Sequence, residues 1–164
     1  MSTKLQRFLR AYGSDLCDDA TEVGGIVGFL QCTYRRNGQD WPSRRHYLAA
    51  LACSMTGQRL RVSLGDPLYR RVYWSNASPR VGLGPSAVFP ADLQHMAKVL
   101  ADRRPRLILT YGRIASEAVF SAIQMSGLCE VEVVVYNHPN ARGLDARDWE
   151  RYGASVRETW EKLS

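Results

Sequence analysis

Pro105-Arg106-Leu107-Ile108-Leu109-Thr110-Tyr111-Gly112 is the stretch that decides the fold class. The apolar run Leu107–Tyr111 is too short for a helix of its own and too uniformly apolar for a strand with one wet face, so it reads as a strand buried on both sides. Pro105 stops the helix before it, which Pro90 can open and whose Leu93, Met96, Val99 and Leu100 fall on one side. Gly112 turns the chain into a following helix. There Ala115, Ala118, Val119, Ala122 and Ile123 form a small-residue stripe suited to close packing on a sheet.

Working outward, the same strand-and-helix alternation recurs. Ile26-Val27-Gly28-Phe29-Leu30 reads as a first buried strand, Arg71-Val72-Tyr73-Trp74-Ser75-Asn76 as a second, and Val131 to Tyr136 as a fourth. Between the first two, Trp41-Pro42-Ser43 leads into a helix with Tyr47, Leu48, Leu51, Ala52 and Met55 as one apolar stripe, while Gly65-Asp66-Pro67 reads as a turn. Leu5, Phe8, Leu9 and Tyr12 mark an N-terminal helix, and Trp149, Tyr152, Val156, Trp160 and Leu163 mark the last one. This pattern predicts one α/β domain over residues 1–164, with a mostly parallel sheet covered on both faces. Ligands of such sheets sit at the carboxyl ends of the strands. Gln31 to Tyr34, Asn76, Gly112 and His138 stand at those ends, and the Gly/Pro-rich loop through Gly82, Gly84 and Pro85 lies nearby.

Composition narrows the partner. The formal charge is +6, and of 22 basic residues only Lys4, Lys98 and Lys162 are lysines, leaving 19 arginines. A polyanion is the indicated partner. The four cysteines, Cys17, Cys32, Cys53 and Cys129, include no Cys-x-x-Cys pair, so no zinc or iron–sulfur site is expected and reduced thiols in a cytoplasm fit best. No apolar run approaches the roughly 18 residues of a membrane helix. The phosphate-loop signature and a properly placed dinucleotide fingerprint are missing, which ranks a nucleotide-processing enzyme last.

Three motifs in order carry a resemblance: Tyr73-Trp74-Ser75-Asn76, then Pro105 to Gly112 with Ala115 beyond, then Asn137-His138-Pro139-Asn140-Ala141-Arg142. Over roughly residues 24–160 the chain resembles the uracil-DNA glycosylase superfamily. The resemblance implies a three-layer α/β/α sandwich, a four-stranded parallel sheet in the order 2-1-3-4, a DNA partner in duplex or single-stranded form, a monomer, and no cofactor. The first motif departs from the family: Leu30-Gln31-Cys32-Thr33-Tyr34 carries Cys32 at the position of the water-orienting Asp. Gly38-Gln39-Asp40 looks like the missing sequence displaced into the next loop, which makes Asp40 a candidate for that role.

Roles follow from the chemistry that the resemblance implies. Cleaving a base from deoxyribose builds negative charge on the departing base, so a donor must be aimed at it; His138 is the candidate. Asn76 offers the donor and acceptors that reading an extruded pyrimidine requires, although Asn76-Ala77-Ser78-Pro79 taken alone reads as a turn. Tyr34 would pack against the base, with Gln31 and Cys32 beside it. Arg142 matches the position inserted into the vacated stack, next to Asn140, and Arg35, Arg36, Arg44 and Arg45 would grip phosphates; the alternative for all of these is solvated surface. None of the three lysines falls near a strand end, so no amine is placed for a Schiff base and a monofunctional hydrolase is expected. Its base would be uracil-like or a hypermodified cytosine, in repair or in phage defence. The alternative is an inactive modified-base or DNA-binding module on the same fold.

Overall fold

In a computed structural model the protein is described over residues 3–12 and 15–164. Helix α1 (Thr3–Tyr12) and a 3-10 turn (Asp15–Cys17) precede strand β1 (Ile26–Leu30) and the short β2 (Thr33–Tyr34). Helices α2 (Arg44–Cys53), α3 (Met55–Leu64) and α4 (Asp66–Arg71) lead to β3 (Val72–Asn76) and the short β4 (Val81–Gly82). Then α5 (Leu93–Arg103), β5 (Leu107–Tyr111), α6 (Arg113–Ser126), β6 (Glu132–Tyr136) and α7 (Ala146–Leu163) alternate to the end.

The central sheet holds four strands, all parallel, in the order β3-β1-β5-β6. In chain-order labels this differs from 2-1-3-4, because β2 and β4 were not expected; they pair with each other in a separate two-stranded sheet. Every residue of β1 and β5 is buried, because helices cover both faces. Ile26, Leu30, Trp74, Leu107, Leu109 and Tyr111 face α2, α3, α4 and α7 in one core. Val27, Phe29 and Ile108 alternate to the other face, against Met96 and Leu100 of α5 and the Ala115, Val119 and Ala122 stripe of α6. The alternation is the period-two geometry of a strand. Each fully buried Leu, Ile or Phe contributes on the order of 1.5–3 kcal/mol relative to exposure.

Two stretches depart from expectation. The helix that begins after Ser43 is two helices rather than one: Ser54 ends α2 and caps α3, accepting the Gly57 N–H at 3.0 Å. A Cβ on Gly57 would lie 1.9 Å from the Leu51 carbonyl oxygen, so only glycine permits so tight a corner. Gly65-Asp66-Pro67, expected as a turn, starts α4, with Asp66 held by Arg61 at 2.9 Å and Pro67 in the first helical turn. In α1, Leu9 packs on the first core; the side chains of Leu5, Phe8 and Tyr12 lie outside the described residues.

Candidate functional site

A cavity of about 640 Å³ opens at the carboxyl ends of the strands. Its walls come from the chain leaving β1, from α2 and the α2–α3 corner, from the end of β3, from loop 84–88 and from the loop after β6. Six residues singled out in the sequence meet there: Gln31, Cys32, Tyr34, Asn76, His138 and Asn140. The strand register explains why. Leu30 pairs with Asn76 across β1 and β3, and the Ala77 and Ser78 N–H groups continue the ladder onto Leu30 and Gln31.

Asn76 is buried, and its Nδ2 donates to the Tyr47 hydroxyl at 3.1 Å. Burial pushes the Tyr47 phenol up to about 12, with Arg44 opposing the rise, so the hydroxyl stays protonated. Tyr47 read in the sequence only as part of an apolar stripe. Its partner choice depends on β3 ending beside α2, which periodicity does not encode. The other amide hydrogen and the oxygen of Asn76 have no further partner among the described residues, and Asn76 borders both this cavity and a smaller neighbouring cleft.

His138 lies two residues past the end of β6. Its Nδ1 accepts the backbone N–H of Asn140 at 3.1 Å, which places the ring hydrogen of the neutral imidazole on Nε2. Burial, aided by Arg59, depresses its pKa, so the ring is neutral at pH 7 and is a donor through Nε2. The loop is held from α3: Arg59 donates to the Pro139 carbonyl and to Asn140 Oδ1, and Asn140 Nδ2 donates to Thr56 Oγ1 at 3.2 Å. Beneath it Gly112 has φ +87°, and a Cβ there would sit 3.4 Å from that of His138. Thr56 and Arg59 were missed because they lie in the polar stretch whose helix was not foreseen.

Cys32 lines the cavity and directs its thiol to the Ala87 carbonyl at 3.5 Å. Burial raises its pKa, so it is a neutral thiol rather than a thiolate. Tyr34 is half exposed at the mouth.

Other candidates are placed elsewhere. Asp40 does not line this cavity; it borders a smaller cleft of about 240 Å³ with Ser75 and His95, beyond a wall of Thr33, Trp41, Tyr47 and Asn76 that the two share. Among the described residues no carboxylate lines the larger cavity. Arg35 is engaged as a loop staple, donating to the Gln39 and Asp40 carbonyls and lying over the Trp41 ring at 5.0 Å. Arg44 is engaged too, pairing with Asp19 at 2.6 Å and donating to the Trp74 carbonyl, and Arg45 reaches Asp18 at 3.6 Å. Arg36 and Arg142 are exposed, outside the cavity and without an ion pair among the described residues.

A comparison with protein-family models, curated proteins and solved structures finds no match to this chain. Among the described residues no cluster of His, Cys, Asp or Glu is disposed to hold a metal ion. Among the described residues no helix is long and apolar enough to cross a membrane.

Proposed function

We propose that this chain is a monofunctional DNA glycosylase of the uracil-DNA glycosylase type, a monomer acting in the cytoplasm on an extruded pyrimidine. The observation that carries the reading is the convergence of Asn76 and a neutral, Nε2-protonated His138 on one cavity. Asn76 holds the base edge with the amide hydrogen and oxygen that Tyr47 leaves free. As the bond between the sugar C1′ and the base nitrogen breaks, its electron pair goes to the base, and His138 donates from Nε2 to the carbonyl oxygen where that charge collects. Such a donor contributes on the order of 10²–10³ in rate. Water adds to C1′, its hydroxyl stays on the sugar and its proton ends on the departed base nitrogen, leaving an abasic strand.

The size of the cavity, about 640 Å³, supports a substrate larger than uracil, such as a hypermodified cytosine of the kind found in phage DNA. Monofunctional chemistry is supported by the lysines: Lys98 and Lys162 pair with Asp102 and Glu158 on exposed helix faces, and neither lines the cavity. The Lys4 side chain lies outside the described residues.

A second reading is favoured by one feature, the neutral Cys32 thiol in a cavity that no carboxylate lines among the described residues. In that reading the fold keeps base recognition and has lost hydrolysis. Incubating the protein with duplexes and single strands carrying a panel of modified pyrimidines, scored for abasic sites, separates the two. Release of one base class, lost in His138→Ala, supports the glycosylase; tight binding with no abasic sites from any substrate supports the binding module. A covalent adduct trapped by borohydride would overturn monofunctional chemistry.

A further inference from the structure

Asn76 closes strand β3, and β3 is an edge of the sheet. One side of its end is held by β1, through the Ala77 and Ser78 N–H groups on the Leu30 and Gln31 carbonyls. Residues of a strand alternate in the side to which their peptide groups point, so the Trp74 and Asn76 carbonyls face outward, where no strand pairs with them. Two side chains stand there instead. Arg44 donates to the Trp74 carbonyl at 2.8 Å. The half-buried His95 faces the Asn76 carbonyl, with its Nε2 3.3 Å from Ser75 Oγ.

His95 is itself fixed. Asp92 caps α5 by accepting the His95 N–H at 2.9 Å, and the Asp92 N–H donates to the Ala77 carbonyl at 2.8 Å, so the first turn of α5 is fastened to the residue after Asn76. Ser75 and Asn76 are each at least nine-tenths buried, and with His95 they line the smaller cleft behind the Tyr47–Asn76 wall. Taking a donor from a buried carbonyl leaves it unsatisfied, and a strand end held from one side opens more readily than one held from two. We propose that His95 is a positioning residue for the base site: by holding the Asn76 carbonyl and Ser75 from outside the sheet, it keeps the Asn76 amide in the wall where an extruded base would meet it. The inference rests on the glycosylase reading, since only there does Asn76 have a base to hold. His95 touches no reacting atom, so its effect falls on binding, whereas that of His138 falls on bond breaking.

The test reads two quantities in the same variants. Amide hydrogen exchange followed by nuclear magnetic resonance needs no DNA: His95→Ala should speed exchange at Ala77 and Ser78 about tenfold and leave Leu109 and Tyr111 in β5 unchanged. Kinetics on duplexes carrying uracil, 5-hydroxymethyluracil or 5-hydroxymethylcytosine should show KM raised about tenfold with kcat little changed. His95→Gln, whose amide can still donate to the carbonyl, should restore both quantities. Ser75→Ala, which removes one of the two contacts, should change them in the same direction by about threefold. Faster exchange in His95→Ala with no base released by the intact protein supports the hold on Asn76 and removes the glycosylase. Unchanged exchange and KM with base release intact overturns the positioning role and leaves the glycosylase standing. Faster exchange throughout the sheet also overturns it, because that reports a loss of overall stability. So does a lower kcat at unchanged KM, which would place His95 in the bond-breaking step.

Discussion

The arginines at the two ends of the sheet differ in what they meet. At the amino ends of the strands four are occupied: Arg71 pairs with Glu22 at 3.0 Å and lies over Trp160, and Arg70 reaches Asp15 at 3.5 Å. Arg103 donates to the Ala20 carbonyl above the Tyr73 ring, and Arg106 donates to the Gly24 and Leu163 carbonyls. At the carboxyl ends Arg35, Arg44, Arg45 and Arg59 are engaged as well, but Arg36, Arg80 and Arg142 have no carboxylate among the described residues, and Arg80 only covers the Phe89 ring at 4.3 Å. One residue type therefore serves two purposes. The first set ties the chain termini and helix ends to the sheet, and under the proposed function the second set is left for phosphates.

Predictions that break or sharpen this contrast can be ordered by size. The largest effect belongs to the carboxyl end: His138→Ala should slow base release by about 10²–10³ while melting temperature and DNA affinity change little. Unchanged turnover would remove His138 from the chemistry. Next is Tyr47→Phe, which strips Asn76 of its acceptor in a buried setting and should cost about 1–3 kcal/mol in binding of the modified base, read by titration against an abasic duplex as control. An equal loss on both duplexes would mean that Tyr47 supports the fold and not the base site.

The arginines themselves come third. Replacing Arg36, Arg80 or Arg142 with Ala should each lower the log–log salt slope of duplex binding by about 0.9 and leave stability alone. Arg71→Ala should do the opposite, costing about 0.2–1 kcal/mol of stability for a half-exposed pair with no change in slope. If both sets shift the slope alike, the distinction between the two ends fails.

The smallest effect is a pH dependence. Burial depresses both His95 and His138 below the ordinary histidine value of 6.5, so the native state resists a proton that the unfolded chain accepts. Their contribution is fully present above 6.5 and is lost as pH falls from there through the depressed values. Melting temperature measured from pH 8 to 5 should decline at the acid end, less steeply in His95→Gln. A flat profile would place both rings in water.

How much of this was legible can be argued from particular residues. The four long strands stand where apolar runs lie between turn signals; in the two central strands, β1 and β5, burial on both faces leaves a local mark at every position, whereas β6 at the sheet edge holds no fully buried residue. Gln31, Cys32, Asn76 and His138 meet because strand ends in a parallel sheet share one side, which the order of elements already implies. Asp40 shows the limit: Gly38-Gln39-Asp40 looked like a displaced motif, but the loop carries the carboxylate to the far side of the Tyr47–Asn76 wall.

What the amino-acid sequence determined by itself is the alternation of elements, the buried strands and the residues available at their ends, because period and turn chemistry act over a few neighbours. Only the tertiary structure decided that Tyr47 holds Asn76, that Thr56 and Arg59 hold the His138 loop, and which arginines find carboxylates. Those pairings join residues up to 84 positions apart, as between Thr56 and Asn140. Which groups meet across such separations depends on how helices seat on the sheet, and no local pattern records it.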